Sequence, residues 1–89
     1  MNDDSSASAR LHARARQVLP GGVSRNTVLR RPHPLYAERG EGCRVWDAEG
    51  VERIDFANNM ASLIHGHAFG PVVEAVTAQV RRGTAFTMA

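Results

Sequence analysis

The side chain best suited to bind a small charged molecule is Arg25, which follows two glycines and has Ser24 and Asn26 beside it. A guanidinium presents a planar set of N–H donors that matches both oxygens of a carboxylate. An arginine on a mobile loop can therefore close over a bound acid. The alternative is an ordinary solvated loop arginine, and the local sequence does not distinguish the two.

Two histidines separated by one glycine, His65 and His67, form the other conspicuous group. They could ligate a metal ion only in an extended segment, and no cysteine or carboxylate stands close by in the sequence to complete the ligand set. Such pairs more commonly lie in a turn before a helix. We therefore expect no metal site.

The residue types exclude several reaction classes. All eleven basic residues are arginine, so the chain has no lysine for a Schiff base or for a phosphate-binding P-loop. The single cysteine, Cys43, excludes an internal disulfide. Turn and strand-edge positions explain Asp47, Glu49 and Asp55 better than paired catalytic carboxylates do. From the residues alone we predict no catalytic, cofactor-binding or metal-binding side chain.

The charge pattern and hydropathy bear on partners and location. The net charge is +2, and the five aromatic residues are not interleaved with the arginines, so we expect no nucleic-acid partner. No apolar run approaches the roughly 20 residues of a membrane span. Residues 1–10 lack the pattern of a secretory signal. We expect a cytoplasmic protein with no membrane partner.

The N-terminal third is predicted to contain one helix and an arm. Residues 1–9 are rich in Asp, Ser and Ala and are expected to form a disordered lead-in. Residues 9–19 are good helix formers with one apolar stripe, and Pro20 ends the helix. Residues 23–34 have no period and contain two prolines, which favours an extended arm lying across another surface.

The rest of the chain is predicted to form a small sheet and a second helix. Strands are expected at residues 35–39, 43–47 and 51–56, with a turn at 47–50 that uses the Asp side chain and the terminal Gly. A helix is expected over residues 71–82, with an apolar stripe predicted to be buried. The stripe consists of Val72, Val73, Val76 and Val80. This order of elements predicts an α+β fold: an N-terminal helix and extended arm, a small antiparallel hairpin sheet and a C-terminal helix.

Several motifs, in this order, resemble class III aminotransferases, most closely the branch that includes glutamate-1-semialdehyde 2,1-aminomutase. They are the PGG arm at residues 19–25, the G-x-G-x-x-x-x-D-x-x-G hairpin within 38–50, the following strand 54–56, and the Gly-His-Ala junction 66–68 with its helix. The chain departs from the family where Pro71 stands one residue later than the usual His-Pro.

The resemblance implies a fold-type-I enzyme that uses pyridoxal 5'-phosphate (PLP) and acts as a homodimer on small amino or keto acids. In the family the lysine, aspartate and phosphate-binding turn that hold PLP lie downstream of the matched region. We therefore expect a fragment that is inactive alone: a lead-in at 1–9, the helix and arm at 10–34, and the incomplete start of the small domain at 35–89. Transamination and intramolecular amino transfer both remain open.

The resemblance also assigns substrate-binding positions. Arg25, with Ser24 beside it, matches the arm position where some relatives bind the substrate carboxylate, whereas relatives nearer the aminomutase place their arginine where this chain has Val28. The family places side chains of the substrate pocket at Asn59, Met60 and Ala61. The alternative to an enzyme segment is a small non-catalytic module that docks on a protein partner through the valines of the last helix.

Overall fold

The computed structural model describes residues 5–89. They contain one antiparallel sheet, and helical elements come before and after its strands in the sequence. The elements are α1 (Ala7–Ala15), β1 (Ala37–Glu41), β2 (Arg44–Asp47), β3 (Glu52–Ile54), the one-turn α2 (Asn58–Ala61) and α3 (Gly70–Val80), with 3₁₀ turns at Pro20–Gly22 and Asn26–Val28. The predicted α+β class and the order of elements are confirmed. Within residues 5–89, no helix has the length and apolar character needed to cross a membrane.

Helix α1 begins and ends earlier than the sequence pattern predicts. Ser6 caps it, because its hydroxyl accepts a hydrogen bond from the amide of Ala9 at 3.1 Å. The first helical residues therefore lie inside the predicted disordered lead-in, whose residues 1–4 are outside the described part. The chain leaves the helix after Ala15, and Leu19 is extended, as expected for a residue before proline.

The three strands form an antiparallel sheet in the order β1-β2-β3. Strand β1 is displaced toward the C-terminus from the predicted 35–39, because it begins at Ala37 and continues through Gly40 to Glu41. Gly40 pairs with Val45 and Glu41 with Arg44, so the reversal is made by the two residues that follow. Gly42 takes a φ of +57° there, which favours glycine. Strand β3 is shorter than the predicted 51–56.

The turn between β2 and β3 is built on the buried carboxylate of Asp47. Its Oδ1 accepts hydrogen bonds from the amides of Glu49 and Val51, both at 2.9 Å, and its Oδ2 pairs with the guanidinium of Arg53. Gly50 supplies a φ of +82°. The hydrogen bond from Arg53, followed by those from the backbone, holds the pKa of Asp47 below its ordinary value of 3.8. The predicted Asp-to-Gly turn is confirmed.

We expect Asp47→Ala to accelerate hydrogen exchange of the Glu49 and Val51 amides by roughly tenfold, because both lose their acceptor. Acidification is also expected to accelerate the exchange of these two amides. Since folding lowers the pKa of Asp47, its stabilising contribution is complete above about pH 4 and is lost as the pH falls through the lowered value. Exchange rates corrected for their intrinsic pH dependence measure both effects. Equal protection in the variant would contradict the assigned role.

Polar contacts attach α1 to the sheet. The carboxylate of Glu49, in the β2–β3 turn, accepts hydrogen bonds from the amides of Ala7 and Ser8 at the start of the helix. Ser8 is 1% exposed, and its hydroxyl accepts a hydrogen bond from the amide of Tyr36 at 3.0 Å. The helix therefore has a defined place relative to the hairpin.

Helix α3 has its predicted apolar stripe, but the expectation that this stripe is buried is wrong for residues 5–89. Val72 and Val76 are 50% and 54% exposed, and within this part of the chain no hydrophobic side chain is fully buried. The helix carries Pro71 in its first turn, as predicted, but it begins at Gly70 and ends at Val80 rather than at residue 82. Periodicity specifies which face is apolar, whereas burial requires a surface to pack against, and the described residues supply none.

Candidate functional site

The structure brings together two of the predicted substrate-binding residues. Nη2 of Arg25 donates a hydrogen bond to Oδ1 of Asn59 at 3.1 Å, although the residues are 34 positions apart in sequence. Both side chains are exposed. Arg25 retains further N–H donors, because a guanidinium carries five. An exposed arginine oriented by an amide oxygen is suited to bind a carboxylate.

The arm that carries Arg25 starts from a fixed point. His12 in α1 contacts the carbonyl oxygen of Gly21 through Nε2 at 2.9 Å, and the hydroxyl of Tyr36 donates to the carbonyl of Gly22 at 3.2 Å. Gly22 has a φ of +76°, and a Cβ on it would lie 2.5 Å from the imidazole of His12. The positive φ and the close approach of His12 therefore favour glycine at the start of the arm.

The other side of the site is α2, a single left-handed turn. Asn58, Asn59, Met60 and Ala61 have φ values of 49°, 50°, 62° and 65°. A left-handed helical conformation costs about 1–2 kcal/mol per residue with a side chain, least for asparagine. Met60 is 76% exposed. Such strained backbone persists only where its surroundings hold it, and it concentrates at functional sites.

Asp55 connects this turn to the rest of the chain. Its Oδ1 accepts hydrogen bonds from the amides of Ala57 at 2.9 Å and Asn58 at 3.0 Å, and its Oδ2 lies 2.6 Å from Nε2 of His67. The bond from His67, followed by that from Asn58, lowers the pKa of Asp55. An ionised carboxylate only accepts hydrogen bonds, so Nε2 of His67 carries the proton.

The two histidines of the His-Gly-His segment point to different partners. The backbone of His67 forms an antiparallel bridge with Gly42, with both N–H···O distances 2.9 Å. The ring of His65 stacks on Phe69 with centroids 4.3 Å apart. Across residues 5–89, no cluster of three or more His, Cys, Asp or Glu side chains is placed to hold a metal ion.

The sequence predicted the remaining site residues but not their arrangement in space, and it did not pair Asp55 with His67. Ser24 is exposed beside Arg25, and Met60 and Ala61 follow Asn59 within the left-handed turn. A turn or strand-edge position was predicted for Asp55, which agrees with its bonds to the amides of Ala57 and Asn58, but its contact with His67 was not predicted. A short polar side chain two residues before a turn is a local signal for Asp55. No local signal marks His67, because its partner lies 12 positions away.

Comparison with known proteins decides the family. A family model described as aminotransferase class-III matches residues 27–89. The chain belongs to the class III aminotransferase family. The resemblance read from the motifs is thereby confirmed.

Individual class III aminotransferases and their relatives agree with the fold. An ω-transaminase structure from Sphaerobacter thermophilus superposes on 98% of this chain with a TM-score of 0.86 and 52% identity. A structure of a transaminase with PLP bound superposes on 91% with a TM-score of 0.82 and 56% identity. Glutamate-1-semialdehyde 2,1-aminomutase of Chloroflexus aurantiacus is 44% identical over 80 residues, which are 84% of this chain. The chain spans about one fifth of each: 20%, 19% and 18% respectively.

Members of this family bind PLP, but residues 1–89 do not by themselves fit the cofactor. The family attaches PLP through a lysine amine, and the chain contains no lysine. The groups that the described site does contain are a guanidinium, an amide and a thioether, none of which can form the Schiff base. No chemical step is therefore assigned to these residues through PLP.

Proposed function

We propose that residues 1–89 serve as the N-terminal part of a PLP-dependent amino-group transferase, in which Arg25 binds the carboxylate of a small amino or keto acid. Within that enzyme, Ser24, Asn59, Met60 and Ala61 line the same substrate site. The observation that carries the proposal is the hydrogen bond between Arg25 and Asn59, because it joins the arm to the left-handed turn. The same two segments were singled out independently by the family resemblance.

The chain's own residues bind and orient the substrate. The guanidinium of Arg25 offers paired N–H donors to the two carboxylate oxygens, and Asn59 fixes its direction through one of the remaining donors. Met60 presents an exposed, flexible apolar side chain beside them. When bound in the whole enzyme, PLP would supply the electron sink for amino transfer. The proposal further includes a homodimer in the cytoplasm, with no nucleic-acid or membrane partner.

Transamination is the reaction class that the solved structures favour. Two transaminase structures are 52% and 56% identical to this chain, compared with 27% for a glutamate-1-semialdehyde aminomutase structure from Pseudomonas aeruginosa. A transaminase passes the amino group between two molecules, whereas an aminomutase moves it within one. The distinction is therefore measurable as a dependence of product formation on a second, keto-acid substrate.

The proposal is tested in a hybrid enzyme. Residues 1–89 replace the matching N-terminal part of the S. thermophilus ω-transaminase, which is 52% identical over 98% of this chain. We expect the hybrid to bind PLP, shown by its visible absorption band, and to transfer amino groups only when an acceptor keto acid is present. Activity without an acceptor would support the aminomutase alternative.

A non-catalytic docking module predicts different behaviour. A folded hybrid that binds PLP but transfers no amino group to any acid would contradict the proposed function. The 89-residue chain would then be expected to form a defined complex with a protein partner, such as a full-length relative, through α3. Replacement of Val76 by aspartate would abolish that complex. Cross-linking and sedimentation of the purified chain mixed with that relative measure this outcome.

A further inference from the structure

A continuous series of contacts runs from the sheet to the candidate site. The backbone of His67 is bonded to Gly42 at the β1–β2 turn, and its Nε2 donates to Oδ2 of Asp55 at 2.6 Å. The other oxygen of Asp55, Oδ1, accepts hydrogen bonds from the amides of Ala57 and Asn58, at the start of α2. The turn then presents Asn59 to the arm.

The left-handed turn needs this support. All four of its residues have positive φ and none is glycine, so its backbone is in a conformation that side-chain-bearing residues disfavour. Hydrogen bonds within the turn, such as that from Ala61 to the carbonyl of Ala57 at 2.8 Å, close it but do not connect it to another element. The connection to the rest of the chain at its first residues is the carboxylate of Asp55.

His67 is well suited to hold that carboxylate in place. Its main chain is fixed by two backbone hydrogen bonds, and its ring lies against Gly40, where a Cβ would be only 2.6 Å from the imidazole Cγ. The side chains of Asp55 and His67 are 15% and 24% exposed, so water has limited access to the bond between them. A shielded, short, charge-assisted hydrogen bond is stronger and more directional than an exposed one.

We propose that Asp55 and His67 are positioning residues for substrate binding: they hold the left-handed turn in the conformation in which Asn59 orients Arg25. Neither residue is assigned a step in the chemistry. Asp55 acts through the turn amides, and His67 acts through Asp55. The inference rests on the proposed function, because it concerns the same substrate site.

The experiment compares variants of the hybrid holoenzyme. Asp55→Ala removes both connections, His67→Phe keeps a ring against Gly40 but removes the donor, and Asp55→Asn keeps an acceptor for the turn amides. Asp47→Ala is the matched control, because Asp47 also accepts two backbone amides but belongs to the β2–β3 turn. Each variant is measured for KM and kcat with an amino acid and with an amine that lacks a carboxylate. Hydrogen exchange of residues 57–62 is measured in parallel.

We expect Asp55→Ala and His67→Phe to raise KM for the amino acid about tenfold, with kcat and the cofactor absorption band nearly unchanged. KM for the amine without a carboxylate stays the same. Exchange of residues 57–62 accelerates about tenfold, and Asp55→Asn falls between these variants and the unaltered hybrid. Asp47→Ala accelerates exchange in its own turn and leaves KM unchanged.

The inference and the proposed function fail in different ways. If Asp55→Ala leaves KM and the exchange of residues 57–62 unchanged, or shifts them no more than Asp47→Ala does, the positioning role is overturned. If exchange accelerates but Arg25→Ala has no effect on KM, the turn is held as inferred, and the assignment of the substrate site is wrong. If the variants lower kcat or lose the cofactor band instead, the pair supports the enzyme generally and the positioning role is also overturned.

Discussion

Replacing Arg25 by alanine is expected to raise KM for a carboxylate-bearing amino donor by roughly 10- to 100-fold in the hybrid enzyme. Hydrogen bonds to charged groups each contribute about 1.5–3 kcal/mol, and every 1.4 kcal/mol corresponds to a factor of ten. Because the carboxylate is not the reacting group, its binding is similar in the ground and transition states. The loss is therefore expected in KM, with kcat changed by only a few-fold.

Three controls isolate the role of Arg25. Arg30 lies in the same arm, but its guanidinium donates to the carbonyls of Thr27 and Leu29, so Arg30→Ala should leave KM unchanged. Arg25→Lys keeps the positive charge and loses the planar fork, so it should recover only part of the affinity. An amine donor without a carboxylate should react equally well with all variants. Equal KM values for Arg25→Ala and Arg30→Ala would remove Arg25 from the substrate site.

Replacing Gly66 by alanine is expected to open the junction between the hairpin and the segment that leads to α3. Gly66 has a φ of +77°, and a Cβ on it would lie 2.6 Å from the carbonyl oxygen of Gly42. The obstacle is backbone, so it cannot rotate away as a side chain would. The left-handed strain costs about 1–2 kcal/mol. Loss of the two hydrogen bonds of the Gly42–His67 bridge adds about 0.5–1.5 kcal/mol each.

The measurement is hydrogen exchange of the Gly42 and His67 amides in the hybrid enzyme, together with its thermal midpoint. Gly50→Ala is the matched control, because Gly50 has a φ of +82° and open space where the Cβ would be. Gly50→Ala therefore introduces the same backbone strain as Gly66→Ala, but its Cβ does not collide with another atom. We therefore expect a destabilisation from Gly66→Ala that exceeds that from Gly50→Ala by about 2 kcal/mol. Equal effects would show that the close approach of Gly66 and Gly42 is unimportant.

Local sequence patterns predicted the elements of this fold but not their limits. The Asp47 to Gly50 turn was predictable because the aspartate bonds amides only two and four residues ahead. The displacement of β1 was not, because the register depends on which residues of β2 face it. Helix α1 begins at its Ser6 cap, a signal that was present in the sequence but was masked by the polar composition around it.

The candidate site shows the same division. The residue types and the order of motifs predicted the segments around Arg25 and Asn59, and the family they belong to. The conformation of α2 was not predicted, because four consecutive left-handed residues without glycine run against every local preference. Contacts with Asp55 hold that turn, and the contact that anchors Asp55 comes from a histidine 12 positions later.

What residues 1–89 specify through their own order is local: the helices, the Asp-based turn, an arginine on a glycine-led arm, and the absence of any lysine. These features depend on interactions a few residues apart, which a linear pattern records. The tertiary structure decides that Arg25 meets Asn59, that His67 contacts both the sheet and Asp55, and that the valines of α3 are exposed among residues 5–89. Those outcomes depend on which distant segments share a surface, and residue spacing along the chain does not encode that.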